Sequence, residues 1–266
     1  MPYKKITYYC GETIEVEKKH TGRYGAPGQK RQKKRKPTRE EIQKQNERLA
    51  VQKLRRKINT NFGADDYHII LTYRPEERPD PGGARKELAR FFRSVKSRYR
   101  KYDEELKYIV VTEYKRSAIH HHIIINSSEK FNVVAAVREC WPRGRPKFVP
   151  LDDEGDYRKL AEYFVKETAE SFRNPDNPNK KRYSCSRNLK EPKVSERIIR
   201  AGTFREDPHP PKGWYIDKDT LYTGINPVTG YRYQYYTLRK LRPAKLRGGG
   251  KDAGTDLHKP LLQSAT

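Results

Sequence analysis

The segment LKYIVVTEYKRSAIHHHIIIN, residues 106–126, contains two runs of strand-forming residues on either side of the short polar turn KRSA. β-branched and aromatic residues dominate both runs, which is typical of strands in a packed sheet. The pattern therefore predicts a β-hairpin with strands at 106–114 and 119–126. Three consecutive histidines interrupt the second strand, although the whole chain has only 7 histidines, and hydrophobic packing alone does not explain them.

The two-residue period of a strand divides these histidines between the faces of the sheet. His120 and His122 share one face, while His121 points to the other. With the hairpin centred on its turn, Glu113 lies directly opposite His120 and diagonal to His122. Two imidazoles and a carboxylate form a donor set that suits Mn²⁺, Mg²⁺ or Zn²⁺. The alternative is a pair of partly exposed strand histidines beside a surface glutamate.

Further elements surround the hairpin in a regular order. Strands are expected at 66–73 and 146–151, and apolar residues at helical spacing predict helices at 83–102, 131–141 and 152–172. Hairpin-joined strands that alternate with helices in this way indicate an α+β fold. We expect a ferredoxin-like (split βαβ) domain with a central antiparallel sheet over residues 61–175.

The segments outside this domain differ from it in composition. Residues 1–37 include a Gly, Pro and Lys/Arg-rich run and are predicted to be a basic, largely flexible arm. Thr38 and Glu41 form a capping-box pattern, which predicts an amphipathic basic helix over 38–60. Residues 176–242 form a C-terminal extension with β segments, and 243–266 are expected to be a disordered tail.

The charge of the chain favours a polyanionic partner. Net charge is +25, the isoelectric point is about 9.9 and mean hydropathy is −1.12, so nucleic acid is the expected partner. No apolar run reaches the ~20 residues of a membrane span, so no membrane contact and a cytoplasmic location are expected. The cysteines number 3 and form no CxxC pair, which indicates reduced thiols. The candidate DNA-binding residues are Lys30, Arg31, Lys33, Lys34, Arg35, Lys36, Arg55, Arg56 and Arg187.

A tyrosine in the last predicted helix is a candidate nucleophile. Tyr163 lies at the edge of the apolar stripe of the helix 152–172, and Lys166 follows one turn later on the same side. A lysine beside a phenol stabilises the phenolate. Tyr157 falls within the stripe and lacks a matching lysine. The alternative is that Tyr163 is an ordinary boundary aromatic beside a lysine whose stem covers apolar surface.

Three motifs in order now give a family resemblance. HIILTY at 68–73, the histidine pair at 120 and 122, and the Tyr-x-x-Lys of EYFVKE at 163 and 166 resemble the motifs of HUH-superfamily rolling-circle replication initiators. The residue between the two histidines is usually hydrophobic in that family, and His121 occupies it here. WPRGRPKFV, RYSCSRNLKEP and GWYIDKD are similar to stretches of bacterial plasmid, integrative-element and small-phage Rep proteins.

The resemblance implies a site-specific DNA-nicking activity. His120, His122 and Glu113 would bind a divalent ion, Mn²⁺ or Mg²⁺ rather than Zn²⁺, and Tyr163 would attack the scissile phosphate of single-stranded or supercoiled origin DNA. The products would be a 5′-phosphotyrosyl link and a 3′-hydroxyl that primes rolling-circle replication. Lys166 would position the tyrosine or neutralise charge. HIILTY would be structural, as the strand beside the site.

Two other functions fit parts of this pattern. A single-tyrosine HUH transposase or relaxase would use the same chemistry, although relaxases usually carry the tyrosine before the histidines. A non-catalytic protein could instead stack single-stranded bases on Tyr73 and Tyr114. No GxxxxGK[ST] phosphate-binding loop occurs, so a separate helicase and a polymerase would be needed. The origin sequence and the oligomeric state stay open.

Overall fold

A computed structural model describes residues 2–20, 36–115, 118–169, 181–226 and 229–241 of the 266-residue chain. Within these ranges the chain forms two five-stranded sheets and four α-helices. None of the helices in this part of the chain is long and apolar enough to cross a membrane. The elements are, in chain order, β1 (Tyr3–Cys10), β2 (Thr13–Lys19), α1 (Arg39–Asn61), β3 (Tyr67–Leu71), α2 (Pro81–Arg100), β4 (Tyr108–Lys115), β5 (Ala118–Ile125), α3 (Val133–Cys140), β6 (Lys147–Pro150), α4 (Arg158–Glu167), β7 (Ser184–Cys185), β8 (Lys193–Ile199), β9 (Trp214–Ile225) and β10 (Arg232–Lys240).

The central sheet contains the predicted hairpin. Its strand order is β6-β3-β5-β4-β7, and each neighbouring pair is antiparallel. Glu113 pairs with His120, and Val111 pairs with His122, which is the register that the centred turn predicts. The antiparallel sheet with its helices confirms the α+β class.

Helices cover both faces of the central sheet. On one face, Ile69, Leu71 and Ile123 pack with residues of α2 and α3 such as Phe91 and Val137. On the other, Ile109, Val111 and Ile124 form a core with α1 and α4 through Leu54, Ile58, Ala161, Phe164 and Val165. The histidine pair points to this second face, so α1 and α4 are the elements that can bring further groups to it.

The second sheet combines strands from residues 3–19 with strands from residues 193–240. Its order is β8-β1-β2-β10-β9 with antiparallel neighbours. The prediction of a flexible arm over residues 1–37 is therefore wrong for residues 3–19, which are two strands. Gly11, with a φ of 59°, makes the tight turn between them, a conformation that glycine adopts without a steric penalty. Residues 21–35 and the predicted tail at 243–266 lie outside the described ranges.

Helix α1 connects the two sheets. Its capping box is present as predicted, since the backbone N–H of Thr38 donates to Glu41 Oε2 at 2.9 Å and the N–H of Glu41 donates to Thr38 Oγ1 at 3.2 Å. Leu54 and Ile58 pack on the central sheet. Asn59 donates to Thr13 Oγ1 of the second sheet at 3.0 Å.

Two predicted boundaries change in the structure. The helix expected from residue 152 begins at Arg158, because Gly155 adopts a φ of 68° and the backbone N–H of Tyr157 donates to Asn59 Oδ1 at 3.1 Å. The C-terminal extension expected from residue 176 is not separate from the core domain. Its short strand β7 pairs with β4 in the central sheet.

Candidate active site

The hairpin β4–β5 places three polar side chains on the face of the central sheet that α4 covers. Glu113 Oε2 lies 3.2 Å from His122 Nε2 and 3.9 Å from His120 Nδ1. Glu113 and His122 are each only 2% exposed, whereas the His120 side chain is 36% exposed. The cluster therefore has a buried floor and one side that opens to solvent.

A third histidine, His68 on β3, extends the cluster. Strand β3 pairs with β5 on the side opposite β4, and His68 Nε2 lies 3.3 Å from His122 Nδ1. Burial lowers the pKa of His68 to about 3, so its ring is neutral at physiological pH. The contact fixes the plane of the His122 ring, as a partner on the second nitrogen of a ligand histidine commonly does.

Sequence reasoning treated HIILTY as structural and so missed His68. The segment does form the strand beside the site, as the resemblance implied. The two-residue alternation of β3 could have pointed to His68, because it places His68 and Ile70 on the same face of the strand. Recognising that this face is also that of His122 required the pairing of β3 with β5, which joins residues about fifty positions apart in the chain.

Helix α4 brings Tyr163 to the histidines. Its hydroxyl lies 3.5 Å from His122 Nε2, and its ring meets the His122 ring edge-on with centroids 5.3 Å apart. The next residue, Phe164, is buried and packs against the rings of His68 and His122. Tyr163 remains 37% exposed. A phenol held at the histidine cluster yet open to solvent can reach a substrate that approaches from outside.

Lys166 in α4 and Tyr157, the residue before that helix, differ from Tyr163. Lys166 is exposed and lies three residues further along the helix, which places it on the adjoining part of the surface. Tyr157 is 3% exposed and its hydroxyl donates to the carbonyl of Asp152 at 3.0 Å. Its buried, hydrogen-bonded phenol agrees with the interpretation of one accessible tyrosine.

His121 occupies the opposite face, as the alternation predicts. It is fully buried, with Nε2 2.8 Å from the Tyr73 hydroxyl and Nδ1 3.0 Å from Thr112 Oγ1. Burial lowers the pKa of His121 to about 3, so the ring is a neutral part of the core. Tyr73 is 7% exposed, so it cannot stack bases as the non-catalytic interpretation requires.

The donor atoms of the cluster meet the requirements of a metal ion in part. No group of three or more His, Cys, Asp or Glu side chains in the described ranges is arranged to hold one. Two adjacent ligands of an octahedral ion such as Mg²⁺, each at about 2.0–2.1 Å from it, lie about 3 Å apart. The 3.2 Å between His122 Nε2 and Glu113 Oε2 fits this spacing, and His120, at 3.9 Å from the same oxygen, departs from it.

Two of the predicted DNA-binding residues have a different role. Arg55 is 2% exposed and donates to both carboxylate oxygens of Asp156 at 2.8 Å. Arg56 donates to Glu15 at 2.5 Å and Glu17 at 2.8 Å. These ion pairs attach α1 to its neighbours, because planar guanidinium groups pair well with carboxylates. Contact of the two arginines with DNA stays a prediction.

The other predicted DNA-binding residues are not tested by the fold. Arg187 and Lys36 are exposed, and contact with DNA stays a prediction for both. Lys30, Arg31, Lys33, Lys34 and Arg35 lie outside the described ranges. Among the described residues, exposed cations such as Arg187 and Lys36 are therefore the ones that a polyanion can reach.

The part of the chain that carries this site is similar to a known protein family. Residues 66–168 match the model of the family described as replication-associated protein ORF2/G2P. The matched range includes β3, the hairpin and α4, and hence each member of the cluster from His68 to Tyr163. Neither the curated proteins nor the solved structures contain a match to the chain.

Proposed function

We propose, from the premise that residues 66–168 carry a replication-associated ORF2/G2P domain, that the protein initiates rolling-circle replication by nicking one strand of origin DNA. The match is consistent with the rolling-circle initiators that the sequence motifs resemble. The observation that carries the proposal is the Tyr163 hydroxyl at 3.5 Å from His122, beside Glu113 and His120.

Tyr163 is the proposed nucleophile because it is the accessible phenol of the cluster. Its oxygen forms a bond to the phosphorus as the bond from phosphorus to the 3′ oxygen breaks. The phenolic proton passes to water at the exposed side of the ring, and the departing 3′ oxygen takes a proton from water. The products are a 5′-phosphotyrosyl link and a 3′-hydroxyl that can prime synthesis or reverse the step.

The donor set supports a divalent ion at the same place. His120, His122 and Glu113 would hold Mn²⁺ or Mg²⁺, with Zn²⁺ less favoured, and the ion would supply Lewis-acid polarisation of the scissile phosphate. His68 fixes the ring of His122 from the buried side. Lys166 would neutralise charge on the phosphate or the phenolate.

The architecture supports the finer assignment to an HUH endonuclease of ferredoxin-like fold. The order of the elements β3, α2, β4, β5, α3 and β6 is the split βαβ arrangement, and the sheet order β6-β3-β5-β4 places the hairpin beside the first strand. α2 and α3 share one face, which leaves the other to the histidines and α4. Origin DNA is the proposed partner, and a separate helicase and polymerase would complete replication.

A nicking assay tests this function. Single-stranded oligonucleotides that tile the DNA of the protein's own locus would be incubated with Mn²⁺ or Mg²⁺ and the wild type, Tyr163→Phe, His120→Ala or Tyr215→Phe. Tyr215 is a matched control, since it is an exposed tyrosine of the second sheet. We expect cleavage and a covalent adduct with the wild type and Tyr215→Phe, and neither product with Tyr163→Phe. Cleavage that survives in Tyr163→Phe would contradict the proposal.

A further inference from the structure

A second concave surface lies away from the histidine cluster, between the first half of α1 and the hairpin of β9 and β10. The groove has a volume of about 800 Å³, within the ~300–1,000 Å³ of typical ligand sites. Its lining includes Lys44 and Arg48 from α1 and Tyr222 and Tyr233 from the hairpin, and none of the proposed catalytic residues. The nicking chemistry therefore does not explain the residues that line this groove.

Two tyrosines and an arginine form the wall of this groove. The rings of Tyr222 and Tyr233 lie 5.2 Å apart between centroids. The guanidinium carbon of Arg48 lies 5.3 Å from the Tyr222 centroid and 5.5 Å from that of Tyr233, and Arg48 donates to the Tyr233 hydroxyl at 3.1 Å. Tyr222 nevertheless remains 46% exposed, so the pair offers an aromatic surface to solvent.

A glycine helps to set the position of the exposed ring. A Cβ atom added at Gly224 would lie 2.8 Å from a ring carbon of Tyr222, so the ring lies close against the glycine two residues along β9. Contact with Arg48 on α1 restrains the same ring from the other element. An exposed aromatic ring held in this way loses little side-chain entropy when a planar group stacks on it.

The charge of the groove favours an anion. Its described lining contains the basic side chains of Lys19, Lys44 and Arg48 and the carboxylates of Glu17 and Glu41. Lys18 and Arg232 instead bind Gln234 and Glu206 on the opposite face of the sheet. Glu41 accepts a hydrogen bond in the capping box of α1, and Lys44 is exposed on the next turn of that helix. Cations around a stacking surface are the combination that single-stranded nucleic acids bind.

We propose that this groove binds single-stranded DNA, with a base stacked on Tyr222 and the adjoining phosphates near Lys44 and Lys19. A duplex keeps its bases stacked on one another and cannot offer a free face to the ring. The stacking and charge are independent of the nicking chemistry, and only the choice of DNA over RNA rests on the proposed function. The groove would give the enzyme a second contact with the strand that it cleaves.

Binding measurements on the full-length protein test this inference. The fluorescence anisotropy of a labelled oligothymidylate would be followed with the wild type, Tyr222→Ala, Tyr222→Phe and Tyr215→Ala. Loss of one stacked base, worth about 1–3 kcal/mol, weakens affinity roughly 5- to 150-fold, so we expect this loss for Tyr222→Ala and near wild-type affinity for Tyr222→Phe. Tyr215, 39% exposed on the same strand, is the matched control.

Two further measurements sharpen the outcome. Gly224→Ala should also weaken binding, because its methyl group displaces the Tyr222 ring. Competition with a duplex of the same length should be much weaker than with the single strand. Equal affinity of Tyr222→Ala and Tyr215→Ala, as expected if the groove binds a protein instead, would overturn the inference, as would equal competition by the duplex. A wild type that binds through Tyr222 yet never nicks DNA would reject the proposed function and keep the groove.

Discussion

The two sheets of this protein are built by different means. The central sheet is covered by helices on both faces, and its two cores contain most of the buried aliphatic and aromatic residues. The second sheet has a small apolar cluster on one face, centred on Val16, Tyr236 and Leu238. Its other face meets α1 largely through charged groups, among them Arg55, Arg56 and Glu15.

This difference suits the central sheet to holding the candidate catalytic groups in place and the second sheet to binding a ligand. Apolar packing on both faces holds the strands of the central sheet in one register, and the candidate catalytic groups lie on that sheet and on α4. The second sheet leaves tyrosines and cations open to solvent, as a binding surface requires. Substitutions in the central sheet and in the second sheet should therefore affect different properties of the protein.

The largest effect is expected where the two sheets meet. Arg55→Ala would leave the carboxylate of Asp156, 5% exposed, without its buried cation, and would leave Glu15, 0% exposed, paired with Arg56 alone. Removal of one partner from a buried ion pair costs about 3–5 kcal/mol, so we expect a fall of this size in the free energy of unfolding, measured by chemical denaturation. Arg90→Ala is the control, because Arg90 is 61% exposed in its ion pair with Glu87 and such pairs contribute at most about 1 kcal/mol.

The alkylation rates of the cysteines report which sheet loses structure in Arg55→Ala. Burial raises the pKa of Cys10 in the second sheet to about 12, so its thiol should resist alkylation while β1 is folded. Arg55→Ala should accelerate the alkylation of Cys10 more than that of Cys185 on β7. Equal acceleration at both sites would show that the sheets unfold together and would remove the distinction between them.

A smaller effect is expected within the central sheet. Tyr73→Phe removes the hydroxyl that lies 2.8 Å from His121 Nε2 and leaves a polar atom of a fully buried ring unsatisfied. The expected loss is about 1–3 kcal/mol of unfolding free energy, again by chemical denaturation. Single-stranded DNA affinity should stay unchanged, since Tyr73 is remote from the groove lining. A loss of DNA affinity in this variant would show that the buried tyrosine does contribute to binding.

The smallest effect is expected at the start of α1. Thr38→Ala removes the oxygen that accepts from the N–H of Glu41, and loss of such a cap costs about 1 kcal/mol. Hydrogen exchange should rise in the first turns of α1, which line the groove, and not in α4. Faster exchange spread evenly over both helices would contradict the separate roles assigned to them.

Local patterns were sufficient to predict the centre of the site. The alternation of IHHHIII and the short turn before it predicted that Glu113 pairs with His120, because hairpin register depends on neighbouring residues alone. The amphipathic pattern of α4 placed Tyr163 at the edge of its apolar stripe. The place of Tyr163 above His122 came from the family resemblance, since the packing of a helix on a sheet is not local.

The β segments that form β9 and β10 were predicted, but the pairing of the second sheet could not be, because the strands that pair are distant in the sequence. Strand β1 pairs with β8, and β2 pairs with β10, across nearly the whole chain. Strand β2, with the sequence TIEVEKK, has no strong apolar pattern. On its face toward α1 it carries Glu15 and Glu17, which pair with Arg56. Because these ion pairs join distant parts of the chain, the structural role of Arg55 and Arg56 was not predicted.

We propose that Tyr163, held beside His122 and Glu113, is the group that attacks DNA. The most direct measurement is mass spectrometry of proteolytic peptides after the protein has reacted with a cleaved single-stranded oligonucleotide and Mn²⁺. We expect a nucleotide attached to the peptide that contains Tyr163 and no adduct in Tyr163→Phe. An adduct mapped to another residue, or unchanged adduct formation in Tyr163→Phe, would contradict it.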